Sequence, residues 1–156
     1  MKVILEFAQS VHASELSFKA DHVVEDGGRY FVLGKQLLPL VQKGFFYAGT
    51  YLGKAKDGKF FPSFNLLALL AESGGRSVVL NRKAAWLFIC GRDILFAGIA
   101  ALRGSAKKGD NVLVLNEFGD CLGFGRAVED LQSKAEAKEI AVKNVSDIGD
   151  FLRRER

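Results

Sequence analysis

The hydrophobic and polar positions form short runs whose period changes several times along the chain. Val3, Leu5 and Phe7 fall on one side of Lys2–Phe7, the alternation of a strand. Asp26-Gly27-Gly28 predicts a turn into a strand over Tyr30–Leu33. After Gly34, Leu37, Leu38 and Val41 repeat at helical spacing within Lys35–Gln42, where Pro39 shortens or kinks the helix. Phe45–Tyr51 and Lys59–Phe61 flank Lys56-Asp57-Gly58, a hairpin with Asp-Gly as its turn dipeptide. Asn65–Glu72 is strongly helical; Ser63, just after Pro62, is its expected N-cap, and Gly74-Gly75 ends it.

Beyond the glycine pair the pattern is richer in strands. Val78–Leu80 predicts a strand and Lys83–Gly91 a buried helix or helical turn. Phe96-Ala97-Gly98 leads into a strand at Ile99–Leu102. Lys107–Asp110 is a turn, Asn111–Leu115 and Cys121–Val128 are strands joined through Glu117–Asp120, and Glu139–Lys143 is a further strand. Ser146–Arg154 is expected to close the chain as a helix, capped by Ser146, with Asp147 at its positive end and Arg153 and Arg154 at its negative end. Short strands at this spacing suggest a small barrel. The expectation is an α+β chain of two domains. Residues 1–75 form an α/β unit with an antiparallel sheet, and residues 76–156 form a β pseudobarrel with short helices.

The strand around Cys121 carries its own constraint. Cys121, Gly123, Gly125 and Ala127 share one face, and Leu122, Phe124 and Val128 the other. A face of bare glycines lets another backbone approach closely, as at a barrel corner or a ligand groove.

Composition bounds the rest. The 156 residues are 49% hydrophobic and 26% charged, enough apolar material for a buried core and too much for a disordered chain. No apolar run is long enough to span a bilayer, and the N-terminus is a poor signal peptide, so an intracellular, cytoplasmic protein without a membrane partner is expected. The net charge of +4 is modest. Its distribution is uneven, with Arg153-Arg154-Glu155-Arg156 making a basic C-terminal tip.

Several motifs fail on inspection. Gly53–Lys59 spaces its glycines and lysine like a phosphate loop, but Phe60 stands where a magnesium-binding hydroxyl is needed and Phe61-Pro62 where a helix should begin. Gly123-Phe124-Gly125 lacks the third glycine of a dinucleotide fingerprint, and the segment 129–139 is too charged for a crossover helix. Lys43–Tyr47 resembles an RNA-recognition strand, with Phe46 where a small residue belongs. Phe45, Phe46, Tyr47, Tyr51, Phe60, Phe61 and Phe64 are expected to be mostly core. His12 and His22 have no metal-ligand spacing, and Cys90 and Cys121 are expected to be buried or inert thiols. No catalytic constellation emerges, so no enzymatic activity and no cofactor are expected.

Several segments carry a family resemblance. Lys108-Gly109-Asp110 through Asn116, followed by Gly119–Ala127, resembles the signature of PUA domains, and Phe96-Ala97-Gly98-Ile99 is similar to their glycine loop. PUA domains are small RNA-binding pseudobarrels found in pseudouridine synthases and archaeosine transglycosylases. Asp147–Glu155, Leu122–Gly125 and Ala85–Gly91 resemble the Nip-seven family of large-subunit ribosome-biogenesis factors; Tyr30–Val32 and Gly49–Lys54 match more loosely. The compact chain resembles an archaeal-type member.

The resemblance implies a non-catalytic adaptor in pre-ribosomal RNA processing and large-subunit assembly. Its N-terminal pre-PUA domain would contact assembly factors and, in some settings, the exosome. Its PUA domain would bind single-stranded, uridine- or adenine-rich RNA. The competing readings are a translation-initiation module and an accessory subunit of an RNA-modifying enzyme. The expected RNA contacts are Arg153, Arg154 and Arg156 on the closing helix and Lys143 on the strand before it, chosen for reach and charge. Resemblance to PUA domains adds Phe96, Ala97 and Gly98.

Overall fold

The computed structural model describes residues 1–13, 15–43, 49–133, 136–150 and 153. Two sheets organise the chain. Strands β1 (Val23–Asp26), β2 (Arg29–Val32), β3 (Thr50–Lys56) and β4 (Lys59–Pro62) form an antiparallel sheet in that order. Helices α1 (Lys2–Ser10) and α2 (Phe64–Glu72) accompany it. The second half holds β5 (Ser77–Leu80), helix α3 (Arg82–Ile89), β6 (Ile94–Leu95), β7 (Ile99–Arg103), β8 (Asn111–Leu115), β9 (Cys121–Ala127) and β10 (Ile140–Asp147). These strands curl into a half-barrel in the order β6-β10-β9-β8-β5-β7, antiparallel except for β5 beside β8. This is the expected α+β architecture, an antiparallel sheet followed by a β pseudobarrel.

Local chemistry accounts for several boundaries. Ser63 caps α2 by accepting from the Leu66 N–H at 3.1 Å. The β3–β4 hairpin turns at Asp57 and Gly58, both at positive φ as a tight hairpin turn requires. The false phosphate loop is therefore a hairpin, and its glycines serve strand geometry.

The opening segment is a helix, not the expected strand. Ile4, Phe7, Ala8 and Val11 are buried, a three-four spacing that runs past Glu6, whereas Leu5 is exposed. Alternation over six residues is too short to outweigh that longer period. The helix expected over Lys35–Gln42 is instead a turn followed by a 3₁₀ helix at Leu38–Lys43, with Pro39 in its first turn, where its missing N–H costs no bond. The closing helix does not start at Ser146. Strand β10 runs on to Asp147, pairing Ser146 with Phe124 and Asp147 with Gly123 across a bulge. Helical backbone appears at Asp150 and Arg153.

Gly123 explains why β10 extends. It has φ +149°, and a side chain there would meet the Ser146 carbonyl and the Asp147 Cα. The glycine face thus lets β10 lie against β9 and bend, the barrel corner anticipated from the sequence.

The two halves share a core. Val78, Leu80, Phe88, Val112, Val114, Leu122 and Val142 fill the half-barrel. Leu113 and Phe124 point from the opposite sheet face into the cluster of Ile4, Phe7, Leu52, Leu66 and Leu70. Phe124 meets Phe7 edge-on at 5.2 Å, and Phe7 meets Phe60 at 5.9 Å. Of the aromatics expected in the core, Phe60 and Phe64 pack against this cluster and Tyr51 packs on Phe31. Phe61 is exposed, because its alternate position on β4 faces solvent. Phe45, Phe46 and Tyr47 lie outside the described residues.

Arg76 ties the halves together. It is 3% exposed and donates to Asp110 Oδ2 at 2.6 Å and to the carbonyls of Ser10, Ser105 and Asn111 at 2.7–3.1 Å. Its backbone N–H donates to the Val11 carbonyl. No helix among the described residues is long and apolar enough to cross a membrane.

Candidate nucleic-acid interface

Helix α3 has two faces. Ala84, Ala85, Phe88 and Ile89 pack on the half-barrel. Arg82, Lys83, Trp86, Leu87 and Cys90 face solvent, and Trp86 is 65% exposed. The expected buried helix is thus buried on one stripe only. The three-four spacing of Ala84-Ala85-Phe88 selects the inner face and leaves the indole outside. An aromatic ring one turn from two cations on a helix can stack on a planar base while Arg82 and Lys83 meet its phosphates.

The surroundings of α3 hold it in place. Asn81 accepts from the Ala84 N–H at 2.9 Å, capping the helix, and its Nδ2 donates to the Ala97 carbonyl at 3.1 Å. That bond couples the helix N-terminus to the 3₁₀ turn Phe96–Gly98. Gly98 is buried against Ala84, where any side chain would collide with the Ala84 methyl. Phe96 packs on the barrel core and Ala97 is exposed. The glycine loop therefore orders α3 and presents Ala97 beside it. Leu95 and Ile140, a cross-strand pair on β6 and β10, add exposed apolar surface.

The other end of α3 is tied by polar groups. Asn144 Nδ2 donates to the Phe88 carbonyl at 3.0 Å and to Asp147 Oδ2 at 3.0 Å. Arg153 Nη1 donates to the Ile89 carbonyl at 2.6 Å, and Nη2 to Asp147 Oδ2 at 2.7 Å. The hydrogen bond to Asp147 raises the Arg153 pKa above its ordinary value. Arg153 thus ties its segment to the C-terminal end of α3, and its guanidinium, though 39% exposed, is engaged by protein acceptors. Arg154 and Arg156 lie outside the described residues.

Lys143 sits apart from this face. Alternation along β10 sends Asn144 toward α3, while Lys143 lies in a groove with Lys108, Arg126 and Val145. The sequence-chosen residues are therefore divided. Ala97 and Arg153 lie at the two ends of α3, Phe96 and Gly98 support it from within, and Lys143 occupies the opposite sheet face. Sequence reasoning passed over Trp86, Arg82 and Lys83 because residues 84–90 read as one apolar run; a helical wheel over 81–90 separates them.

The two thiols differ in their surroundings. Cys121 is half-buried, and desolvation pushes its pKa up to about 11. Cys90 is exposed rather than buried, because it continues the outer stripe of α3. No group of three metal-ligating side chains occurs among the described residues.

Residues 76–156 match the model of the UPF0113 PUA domain family. The chain belongs to that family. A UPF0113 protein of Archaeoglobus fulgidus is 34% identical over 114 residues, covering 70% of this chain and 63% of that protein, so the match spans less than two thirds of the relative. A PUA domain from Aeropyrum pernix K1, crystallised with tartrate, is 26% identical with a TM-score of 0.54, covering 62% of this chain and 56% of that one. A conserved PUA domain protein from Thermoplasma acidophilum shares the fold nearly end to end, with a TM-score of 0.59 at 19% identity over 97% of this chain and 95% of that one. In this UPF0113 chain the PUA half is thus the unit that carries α3, the glycine loop and β10.

Proposed function

We propose that this UPF0113 chain is a non-catalytic RNA-binding adaptor of ribosome biogenesis, acting in pre-ribosomal RNA processing and large-subunit assembly in the cytoplasm. It binds single-stranded, uridine- or adenine-rich RNA through its PUA half. The observation that carries the reading is the solvent face of α3, where Trp86 stands exposed beside Arg82 and Lys83. A flat indole on a helix pinned at both ends reads unstacked bases, which a duplex would hide. Membership of a PUA family supports RNA as the ligand. The resemblance of Asp147–Glu155 and Ala85–Gly91 to Nip-seven proteins supports ribosome assembly as the setting, with assembly factors and the exosome as protein partners.

Crosslinking in cells followed by sequencing of bound RNA tests the reading. Enrichment of large-subunit precursor RNA is expected. Recovery of initiator transfer RNA with mature small subunits would move the protein to translation initiation. Base modification by the purified chain would make it an enzyme.

A further inference from the structure

A second surface, on the sheet face opposite α3, has its own unexplained charge. Arg126 on β9 and Lys143 on β10 are direct cross-strand partners, and both are exposed. Like charges placed directly opposite in an antiparallel pair destabilise it. The described residues offer these two no ion pair. The nearby carboxylates are engaged elsewhere: Glu129 with Lys108 at 3.2 Å and Asp110 with Arg76 at 2.6 Å. Arg126 and Lys143 line a groove of about 450 Å³ with Lys108, Val128 and Val145. Val145, at the β10 bulge, is half exposed there.

The α3 face and this groove meet at one strand edge. Strand β6 pairs with β10 only at Ile140 and Val142, so from Lys143 onward β10 has β9 on one side and no strand on the other among the described residues. At this edge the Asn144 N–H donates to Asp93 Oδ1 at 2.9 Å, so the loop after α3 borders the strand and separates the α3 face from the groove by a single β-strand edge. The groove's face of the sheet is shared with Leu113 and Phe124, which pack on the N-terminal half, so the groove begins where that packing ends.

We propose that this groove is a second RNA-contacting site, which takes the phosphodiester backbone of a strand whose bases are read at α3. The inference rests on the RNA-binding reading above. Arg126 can grip a phosphate through its fork, and Lys143 adds a neighbouring point charge. A bound polyanion then offsets the repulsion between the paired cations.

The test uses the full chain, with oligouridylates of roughly 5 and roughly 16 nucleotides, lengths that span typical single-strand site sizes. Binding is followed by fluorescence anisotropy across a salt series. Wild type should bind the longer strand more tightly and with a steeper salt dependence. In Arg126→Ala/Lys143→Ala that gain should disappear, and the log-log salt slope for the longer strand should fall by about 1.4, two contacts of about 0.7 each. Arg126→Lys alone should keep the slope, and thermal melting confirms that each variant is folded. An unchanged slope and length dependence in the double variant, with Trp86→Ala still weakening binding, would overturn the groove and leave the RNA reading standing. Failure of wild type to bind either strand would overturn both. Polyglutamate binding as tightly as the RNA, and lost in the double variant, would assign the groove to an acidic protein instead.

Discussion

Replacing Asp110 with asparagine removes the carboxylate paired with the buried Arg76 guanidinium, its one ion-pair partner among the described residues, with little change in side-chain size. Breaking a buried ion pair from one side costs about 3–5 kcal/mol, because a charge is left buried and uncompensated. Two features lower that figure here. Arg76 keeps three carbonyl acceptors, from Ser10, Ser105 and Asn111, and the Asp110 side chain is 36% exposed, so water can replace part of the lost interaction. Asp110 also accepts the Lys107 N–H at 2.9 Å, a bond that weakens with the charge. The net expectation is a loss of about 2–3 kcal/mol. For a chain of this size that lowers Tm by about 5–10 °C, at roughly 2–4 °C per kcal/mol. Circular dichroism melting at neutral pH, at matched concentrations, measures it. Because Arg76 bonds both the Ser10 carbonyl and the β7–β8 loop, the loss should appear in one transition covering both halves. A Tm within about 1 °C of wild type would refute the assignment of Arg76–Asp110 as the tie between them.

Acidification should reproduce part of that loss. The Lys107 backbone N–H, reinforced by Arg76, holds the Asp110 pKa below its ordinary value, so its stabilisation is present above the usual carboxylate range and lost as pH falls through the lowered value. The Tm gap between wild type and Asp110→Asn should therefore narrow from pH 7 toward about pH 3, and a constant gap would count against the ion pair. Gly123→Ala should destabilise by at least about 2 kcal/mol in urea unfolding, because its φ of +149° and the closeness of the Ser146 carbonyl leave no room for a methyl. A neutral effect would mean that the β9–β10 corner is not close-packed. At neutral pH a disulfide reagent should label Cys90 quickly and Cys121 much more slowly, since the first thiol is exposed and the half-buried second is held up at about 11.

How much of this was legible in the sequence varied with the signal. The Ser63 cap, the Asp57-Gly58 turn and the glycine face of β9 each reflect chemistry confined to a few residues, and all three were readable. Residues 2–7 were misread because a six-residue window cannot separate alternation from the Ile4-Phe7-Ala8-Val11 stripe. Ser146 resembled a cap because Asp147 and the arginines follow it, but the ladder to Phe124 and Gly123 is non-local and invisible in the linear chain. The candidate interface divides along the same line. Its glycine loop was found from a local resemblance, whereas the engagement of Arg153 with Asp147 and the Ile89 carbonyl depends on a contact across 64 residues. Trp86 was within reach of the sequence and was missed by reading hydrophobicity without its helical phase. Arg76 gave no local sign, since its partners come from residues 10, 105, 110 and 111.

The central claim is that α3 reads single-stranded RNA, and the affinity of Trp86→Ala for a uridine-rich oligonucleotide tests it most directly. Phe118 is the control, an aromatic side chain 82% exposed at the β8–β9 turn, away from α3. A stacked base is worth about 1–3 kcal/mol, so Trp86→Ala should weaken binding by about 5- to 150-fold, while Phe118→Ala binds like wild type. Equal affinity of Trp86→Ala and wild type, with both folded, would contradict the account.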